Sequence, residues 1–377
     1  MMRFGGRLGL QQRVLPAYRA PFFDLLAMAC EGGMSLFTGL PRPVEGIATT
    51  DQLQVARHHP GRNVHLFRGG FYLCYQIGLL DWLKSWNPDA LIVEANARYL
   101  STPAVVRWMH ARGRPVIGWG LGAPPPPPRV AGHLPQNPKE KDQRLRDRRR
   151  ASFLKQFDAL IAYSQRGADE YAALGFPREQ IFVAHNSVSR APGSAPDRRP
   201  EVPDRLTILF VGRLQARKRV DHLLKACARL ESKPRLVIVG EGPERENLQA
   251  LAQQVYPEAE FAGARHGAEL APFFKAADLF VLPGTGGLAV QEAMSYGLPV
   301  IVARGDGTQD DLVRRENGWQ IPPDDFEVLV STIKEALSDV ARLRRMGEAS
   351  HRIVKEEINI ERMVETFVTA LNSLTGK

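Results

Sequence analysis

Two cations and one carboxylate, each placed just after an apolar run, carry most of the chemistry this sequence can do. Arg213 and Lys218 follow the run 206–211, which ends at Gly212. A forked guanidinium and a point-charge ammonium beyond the carboxyl end of a buried strand suit a diphosphate, which they can hold and neutralise as it leaves. A solvated basic loop has the same composition. Glu292 stands one helical turn beyond Gly284-Thr285-Gly286-Gly287, and that turn follows the apolar run 279–282. Glycines let backbone approach a ligand closely, and the amides of Gly287, Leu288 and Ala289 open a helix, suiting a phosphate or a sugar hydroxyl. The Glu292 carboxylate can accept two hydrogen bonds from a ribose diol. Glycine kept for packing alone gives the same spelling.

Both clusters need the same support: a buried parallel strand, a tight turn and a helix. That rhythm recurs along the chain. Runs 90–95 and 115–120 read as strands flanking a helix that starts near Ser101 to Pro103, and runs 159–164 and 181–186 extend the series. The fold class is therefore α/β, with two doubly wound, Rossmann-like parallel-sheet domains. Expected boundaries are an N-terminal domain over 1–190, a Pro- and Ser-rich linker over 191–205, a second domain over 206–355 and a terminal helix over 356–377.

Taken together, Phe210-Val-Gly212-Arg213 with Lys218, Gly240-Glu-Gly242-Pro243, Asp278-Leu-Phe-Val-Leu-Pro283, Glu292-Ala-Met and Asn317-Gly318 resemble the second domain of retaining glycosyltransferases of the GT-B fold, the large family four. The resemblance spans residues 205–325. It implies an enzyme that moves a sugar from a nucleotide diphosphate sugar, with uridine the expected base, and the chain's charge and aromatics point to a lipid-linked or surface-glycan acceptor. Arg213 and Lys218 match the family's diphosphate pair, and Glu292 matches the second glutamate of its Glu, seven residues, Glu motif. The first glutamate of that motif falls at Gly284, so Thr285, Gly286, Gly287 and Leu288 are left to recognise the donor sugar. Gly212, Glu241 and Arg265 complete the expected donor site, the last two near the base. A histidine that many relatives carry after the second strand is replaced by Trp119 and Gly120. These departures keep other readings open: a nucleotide-binding or scaffold protein without turnover, an epimerase, or a phosphorylase on the same fold. No metal and no cofactor are expected, because the two cations serve the diphosphate; Asp310-Asp311 and Asp324-Asp325 read as helix starts. Gly240 to Arg245 departs from a dinucleotide fingerprint at its third position.

Charge separates the halves. Residues 1–190 carry 25 Lys or Arg against 14 Asp or Glu, while 191–377 carry 25 against 27. An excess of that kind favours an anionic membrane surface or a phosphorylated acceptor, and no nucleic-acid motif accompanies it. Arg13, Tyr18, Arg19 and Trp119 are acceptor candidates; Glu94, Asn96 and Arg98 close the strand 90–95; His133 lies on an irregular segment. The apolar stretch 71–86 reads as a helix, a core element or a membrane-interface one through Trp82 and Trp86. A polyproline run at 124–128 precedes a basic stretch, 139–150, which fits either a solvated helix or one lying on anionic lipid through Arg148, Arg149 and Arg150. Cys30, Cys74 and Cys227 show no paired spacing and are expected as buried thiols. With no apolar run long enough to span a bilayer and no leader-like start, the chain is expected in the cytoplasm, peripheral on the inner face of the membrane.

Overall fold

The computed structural model describes residues 2–122, 148–194 and 204–376. The proline run, His133, the basic stretch up to residue 147 and much of the expected linker lie outside them. The chain divides into two compact units, Met1–His185 with Glu361–Lys377, and Asn186–Ile360.

Unit 1 contains β1 (Leu8–Val14), β2 (Met34–Gly39), β3 (Arg57–Pro60), β4 (Arg62–Leu66), β5 (Leu73–Ile77), β6 (Ala90–Glu94), β7 (Val116–Gly120), β8 (Ala159–Ala162) and β9 (Ile181–Val183). Seven of these form one parallel sheet in the order β3-β2-β1-β6-β7-β8-β9, and β4 and β5 form a separate antiparallel hairpin. Unit 2 contains β10 (Thr207–Val211), β11 (Arg235–Val239), β12 (Glu260–Gly263), β13 (Leu279–Leu282), β14 (Val300–Ala303) and β15 (Gly318–Ile321). Its six-stranded parallel sheet runs β12-β11-β10-β13-β14-β15.

Strands covered by helices on both faces need apolar side chains in both directions, which is why β10, β13 and β14 are apolar almost throughout and fully buried. β1 departs from that rule. It buries Gln11 and Gln12, and the Gln11 side chain is bonded to Gln76 and to the Glu94 amide. The bonds of Gln11 offset its burial, whereas the buried Gln12 Nε2 has no hydrogen-bond partner among the described residues. The helix Ile360–Thr375 belongs to unit 1 for most of its length, where the Phe367 ring meets Phe22 and Trp119 at 5.1 and 4.9 Å.

The expected helix over 71–86 is split. Gly78, at φ 84, separates strand β5 from a helix of only Leu79–Trp86. In that helix Trp82 is buried and donates to Ser35 Oγ at 2.9 Å, and Trp86 donates to the Leu8 carbonyl at 2.9 Å. Both indoles are therefore packing groups of unit 1 rather than interface anchors. Residues 148–154 are helical, with Arg148 and Arg149 exposed. The three cysteines are free and buried. Among the described residues no helix is long and apolar enough to cross a membrane.

Candidate functional site

In each sheet the connections from two neighbouring strands leave in opposite directions, and the gap between the diverging loops is where open α/β sheets take ligands. In unit 2 that place lies beyond the ends of β10 and β13. Gly212 and Arg213 leave β10, and the chain then makes a short 3₁₀ turn, Ala216–Lys218, that carries two cations back toward the other strand. Lys218 is 6% exposed, and its Nζ donates to the carbonyls of Thr285 at 2.8 Å and Gly286 at 2.5 Å. Arg217 Nη1 donates to the same Thr285 carbonyl at 3.2 Å. Burial, with Arg217 alongside, pushes the Lys218 ammonium down to about 8. Its two bonded partners are neutral carbonyls, so an arriving anion would regain much of what desolvation costs.

Gly284 is explained by the same loop. A Cβ there would stand 2.2 Å from the Arg217 carbonyl oxygen and 2.5 Å from Lys218 Cα, while the Thr285 amide donates to that oxygen at 3.1 Å. The backbone of the basic loop fills the space a side chain at this position would need. Gly286, at φ 67, takes the left-handed conformation that turns the two carbonyls onto the cations. The helix that follows is short, Ala289–Ser295, and Glu292 is half-buried on it. Burial raises the Glu292 carboxyl, which has no hydrogen-bond or ion-pair partner among the described residues.

The structure thus joins Lys218, Gly284, Thr285 and Gly286 by direct contact, with Gly287 and Leu288 next in the turn, Arg213 following β10 and Glu292 one turn beyond. Arg213 is half-buried. Glu241 and Arg265 stand beyond β11 and β12 on the outer side of β10. Glu241 is engaged by Arg245, whereas Arg265 is exposed and, among the described residues, bonds the neighbouring Ala264 carbonyl at 3.1 Å. Arg217 is the cation that sequence reasoning passes over. Its signal was its place in the run Arg217-Lys218-Arg219 on the same loop.

The corresponding place in unit 1 lies beyond β1 and β6. Glu94 Oε2 accepts from the Arg13 amide at 2.6 Å, and Arg13 Nη1 pairs with Glu45 at 2.8 Å. Arg42 adds a second pair to Glu45 at 3.1 Å. Burial would raise Glu45, but the bonds from Arg13 and Arg42 override it and hold this carboxyl at about 2. Burial raises Glu94 to about 6, against the Arg13 amide, the Arg13 charge and the Tyr99 hydroxyl.

Two of the four acceptor candidates are corrected by burial. Trp119 is 1% exposed, its ring against Phe22, Tyr163 and Phe367. Arg19 is 4% exposed, with its guanidinium 5.5 to 6.0 Å from the rings of Tyr18, Phe22, Trp119 and Tyr163. A desolvated guanidinium held over aromatic faces is a packing device. Arg13 is committed to Glu45, and Tyr18 alone of the four is exposed.

Comparison with known proteins bears on the family and the fold. Residues 195–352 match the model of the glycosyl transferases group 1, and residues 36–191 match that of glycosyltransferase family 4. The chain is 28% identical to the lipopolysaccharide core biosynthesis glycosyltransferase LpsE of Rhizobium meliloti over 307 residues, 78% of this chain and 87% of that one. Over 177 residues it is 37% identical to a GDP-mannose-dependent alpha-mannosyltransferase of Mycobacterium tuberculosis, 45% of each chain. Among solved structures, the lipopolysaccharide outer core galactosyltransferase WaaB superposes with a TM-score of 0.68 at 17% identity, covering 97% of this chain and 99% of its own. Anabaena HepE in complex with UDP gives 0.68 at 15%, over 97% and 99%.

Proposed function

Because this chain belongs to the group 1 glycosyltransferases and has their GT-B fold, we propose that it transfers a hexose, with retention, from a nucleotide diphosphate sugar to a lipid-linked or surface-glycan acceptor. The observation that carries the donor side is the convergence of Lys218 and Arg217 on the glycine turn of unit 2. In this reading Arg213 and Lys218 take the diphosphate, the amides of Thr285 to Leu288 take sugar hydroxyls, and Glu292 takes the ribose. The anomeric C–O bond breaks and its electron pair leaves with the diphosphate, whose charge the cations stabilise. The acceptor oxygen attacks on the face being vacated, and its proton passes to the departing phosphate oxygen. No protein nucleophile and no metal enter this scheme. Unit 1, where cationic residues outnumber acidic ones, holds the acceptor, and the enzyme works peripherally on the cytoplasmic face of a membrane.

A uridine nucleotide is our first choice, since HepE was solved with UDP and with UDP-glucose; the mannosyltransferase relative makes guanosine the competitor. The test is a thermal-shift panel of UDP, GDP and dTDP sugars, followed by turnover with the best binder. We expect stabilisation by one nucleotide series and transfer to an acceptor. Stabilisation without transfer or donor consumption would favour the non-catalytic reading that Gly284 motivates, and isomerised donor would favour an epimerase.

A further inference from the structure

Every large apolar side chain left exposed among the described residues lies in unit 1, between Met2 and Leu121. Several gather on the β4–β5 hairpin, which is built inside out. Its register pairs Leu66 with Leu73, Val64 with Tyr75 and Arg62 with Ile77 on one face, and His65 with Cys74 and Asn63 with Gln76 on the other. The polar face is the inner one. Asn63 donates to the Arg13 carbonyl at 2.7 Å, Gln76 donates to Asn63 at 3.0 Å, and Gln76 and Cys74 are buried. The apolar face is the outer one, with Leu66, Tyr75 and Ile77 exposed. An antiparallel sheet that turns its apolar face to solvent leaves that face without a partner.

The tip strengthens the pattern. Phe67 is 68% and Phe71 76% exposed, and Phe67 holds φ 58, a left-handed conformation that costs a bulky residue strain and glycine none. Keeping a phenyl ring there, in water, makes sense where the ring itself is used. Along the hairpin's own stretch of sequence the charge has one sign, and Glu45, the carboxylate near Tyr72, is paired with Arg13 and Arg42. From Gln52 to Leu80 the sequence has no Asp or Glu, and Arg62 and Arg68 are exposed with no carboxylate partner among the described residues.

We propose that this hairpin docks unit 1 on an anionic bilayer, with Phe67, Phe71 and the Leu66–Leu73 pair entering the headgroup–acyl boundary and Arg62 and Arg68 meeting lipid phosphates. An apolar face with an aromatic tip, basic flanks and no Asp or Glu in its own stretch fits a lipid interface, where Tyr75 can lie at headgroup depth and Arg68 can extend back to phosphate. This deepens the membrane-proximal reading above by naming the contact surface, and it is measured without turnover so that either can fail alone.

The test is co-sedimentation of the full chain with vesicles of phosphatidylcholine containing about 30% phosphatidylglycerol, beside pure phosphatidylcholine. Binding should require the anionic lipid. It should fall roughly tenfold or more in Phe67→Ser/Phe71→Ser and in Arg62→Ser/Arg68→Ser, and less in Tyr75→Ser/Ile77→Ser. Arg148→Ser/Arg149→Ser/Arg150→Ser should bind as the parent does. Phe67→Trp should add indole emission that shifts to the blue on vesicles. The substituted hairpin side chains are exposed, so melting temperature and nucleotide-induced stabilisation of the hairpin variants should be unchanged. Hairpin variants that bind like the parent, or loss of binding only in the Arg148–Arg150 variant, would overturn the proposal. So would a parent dimer that Phe67→Ser/Phe71→Ser converts to monomer with vesicle binding intact, which would make the face a self-association surface.

Discussion

The two sheets reverse their strand order at equivalent places, between β1 and β6 in one unit and between β10 and β13 in the other, yet they end in opposite chemistry. Beyond β10 and β13 the cations Lys218 and Arg217 rest on neutral carbonyls of a glycine turn. Beyond β1 and β6 the cations Arg13 and Arg42 are already bound by Glu45, and a second carboxyl, Glu94, accepts from the Arg13 amide. Topology places the ligand edge in both sheets, and the side chains decide what it can take. An anion arriving in unit 2 meets cations without a paired carboxylate in that turn, whereas in unit 1 it must displace one. On this asymmetry rests the proposal that unit 2 takes a donor diphosphate.

The largest effect that would break the comparison is on Lys218. Lys218→Ala should reduce kcat/KM for transfer by roughly 10²–10³ and abolish stabilisation by the nucleotide diphosphate, as removal of a preorganised charge donor does. Arg13→Ala should lower the melting temperature yet leave the nucleotide-induced shift intact. A nucleotide shift that survives Lys218→Ala and vanishes with Arg13→Ala would reverse the assignment of the two edges.

Restoring the motif glutamate sharpens the same contrast. Gly284→Glu must force its Cβ into the Arg217 carbonyl and Lys218 Cα. It should cost up to about 3 kcal/mol of stability and weaken nucleotide binding, because the cations lose their seat on the turn. A denaturant midpoint with and without nucleotide measures both. A gain in turnover would mean that the loop yields easily and that the glycine is a lost catalytic position.

A smaller effect is expected at Glu45. Its carboxyl lies at about 2 in the folded chain, below its ordinary 4.5, so it contributes stability above pH 4.5 that is lost as pH falls toward 2. Glu45→Gln should therefore cost about 2 kcal/mol at pH 7, and the difference from the parent should shrink in acid. Urea unfolding at pH 7 and pH 3 reads this directly. A cost unchanged at pH 3 would assign Glu45 a packing role.

Much of unit 2 was legible in the sequence, because buried parallel strands spell themselves as apolar runs and the runs 206–211 and 279–282 end in glycine turns. The expected strand 90–95 is likewise found, as Ala90–Glu94. What escaped depends on facing and reach. Residues 73–77 alternate with the period of a strand, but their apolar members point outward, so the run merges with the helix behind Gly78 into one apolar stretch. Arg19 and Trp119 sit where cleft residues would, and only packing against Phe22 and Phe367 shows that they turn inward. Arg217 reaches the turn because the 3₁₀ geometry of Ala216–Lys218 aims it there. The Glu45 pair with Arg13 joins residues 32 apart, and no local pattern announces it.

Glu94 gives the finest division between the two edges, since it is a carboxyl that burial has pushed the other way, from 4.5 up to about 6. With the folded value above the unfolded one, the native state holds the extra proton between pH 4.5 and 6, and stability falls as pH rises through that window. Above pH 6 the ionised, desolvated group is a standing cost of about 1–2 kcal/mol. Glu94→Gln keeps an oxygen to accept from the Arg13 amide and removes the charge. The variant should therefore be the more stable protein at pH 7.5, by about that amount, and should match the parent near pH 4.5. Paired denaturation curves at the two pH values decide the matter. A variant less stable at pH 7.5 would mean that the Arg13 amide and the Tyr99 hydroxyl bind the carboxylate more strongly than burial penalises it, and unit 1 would then hold two satisfied carboxylates at its edge instead of one.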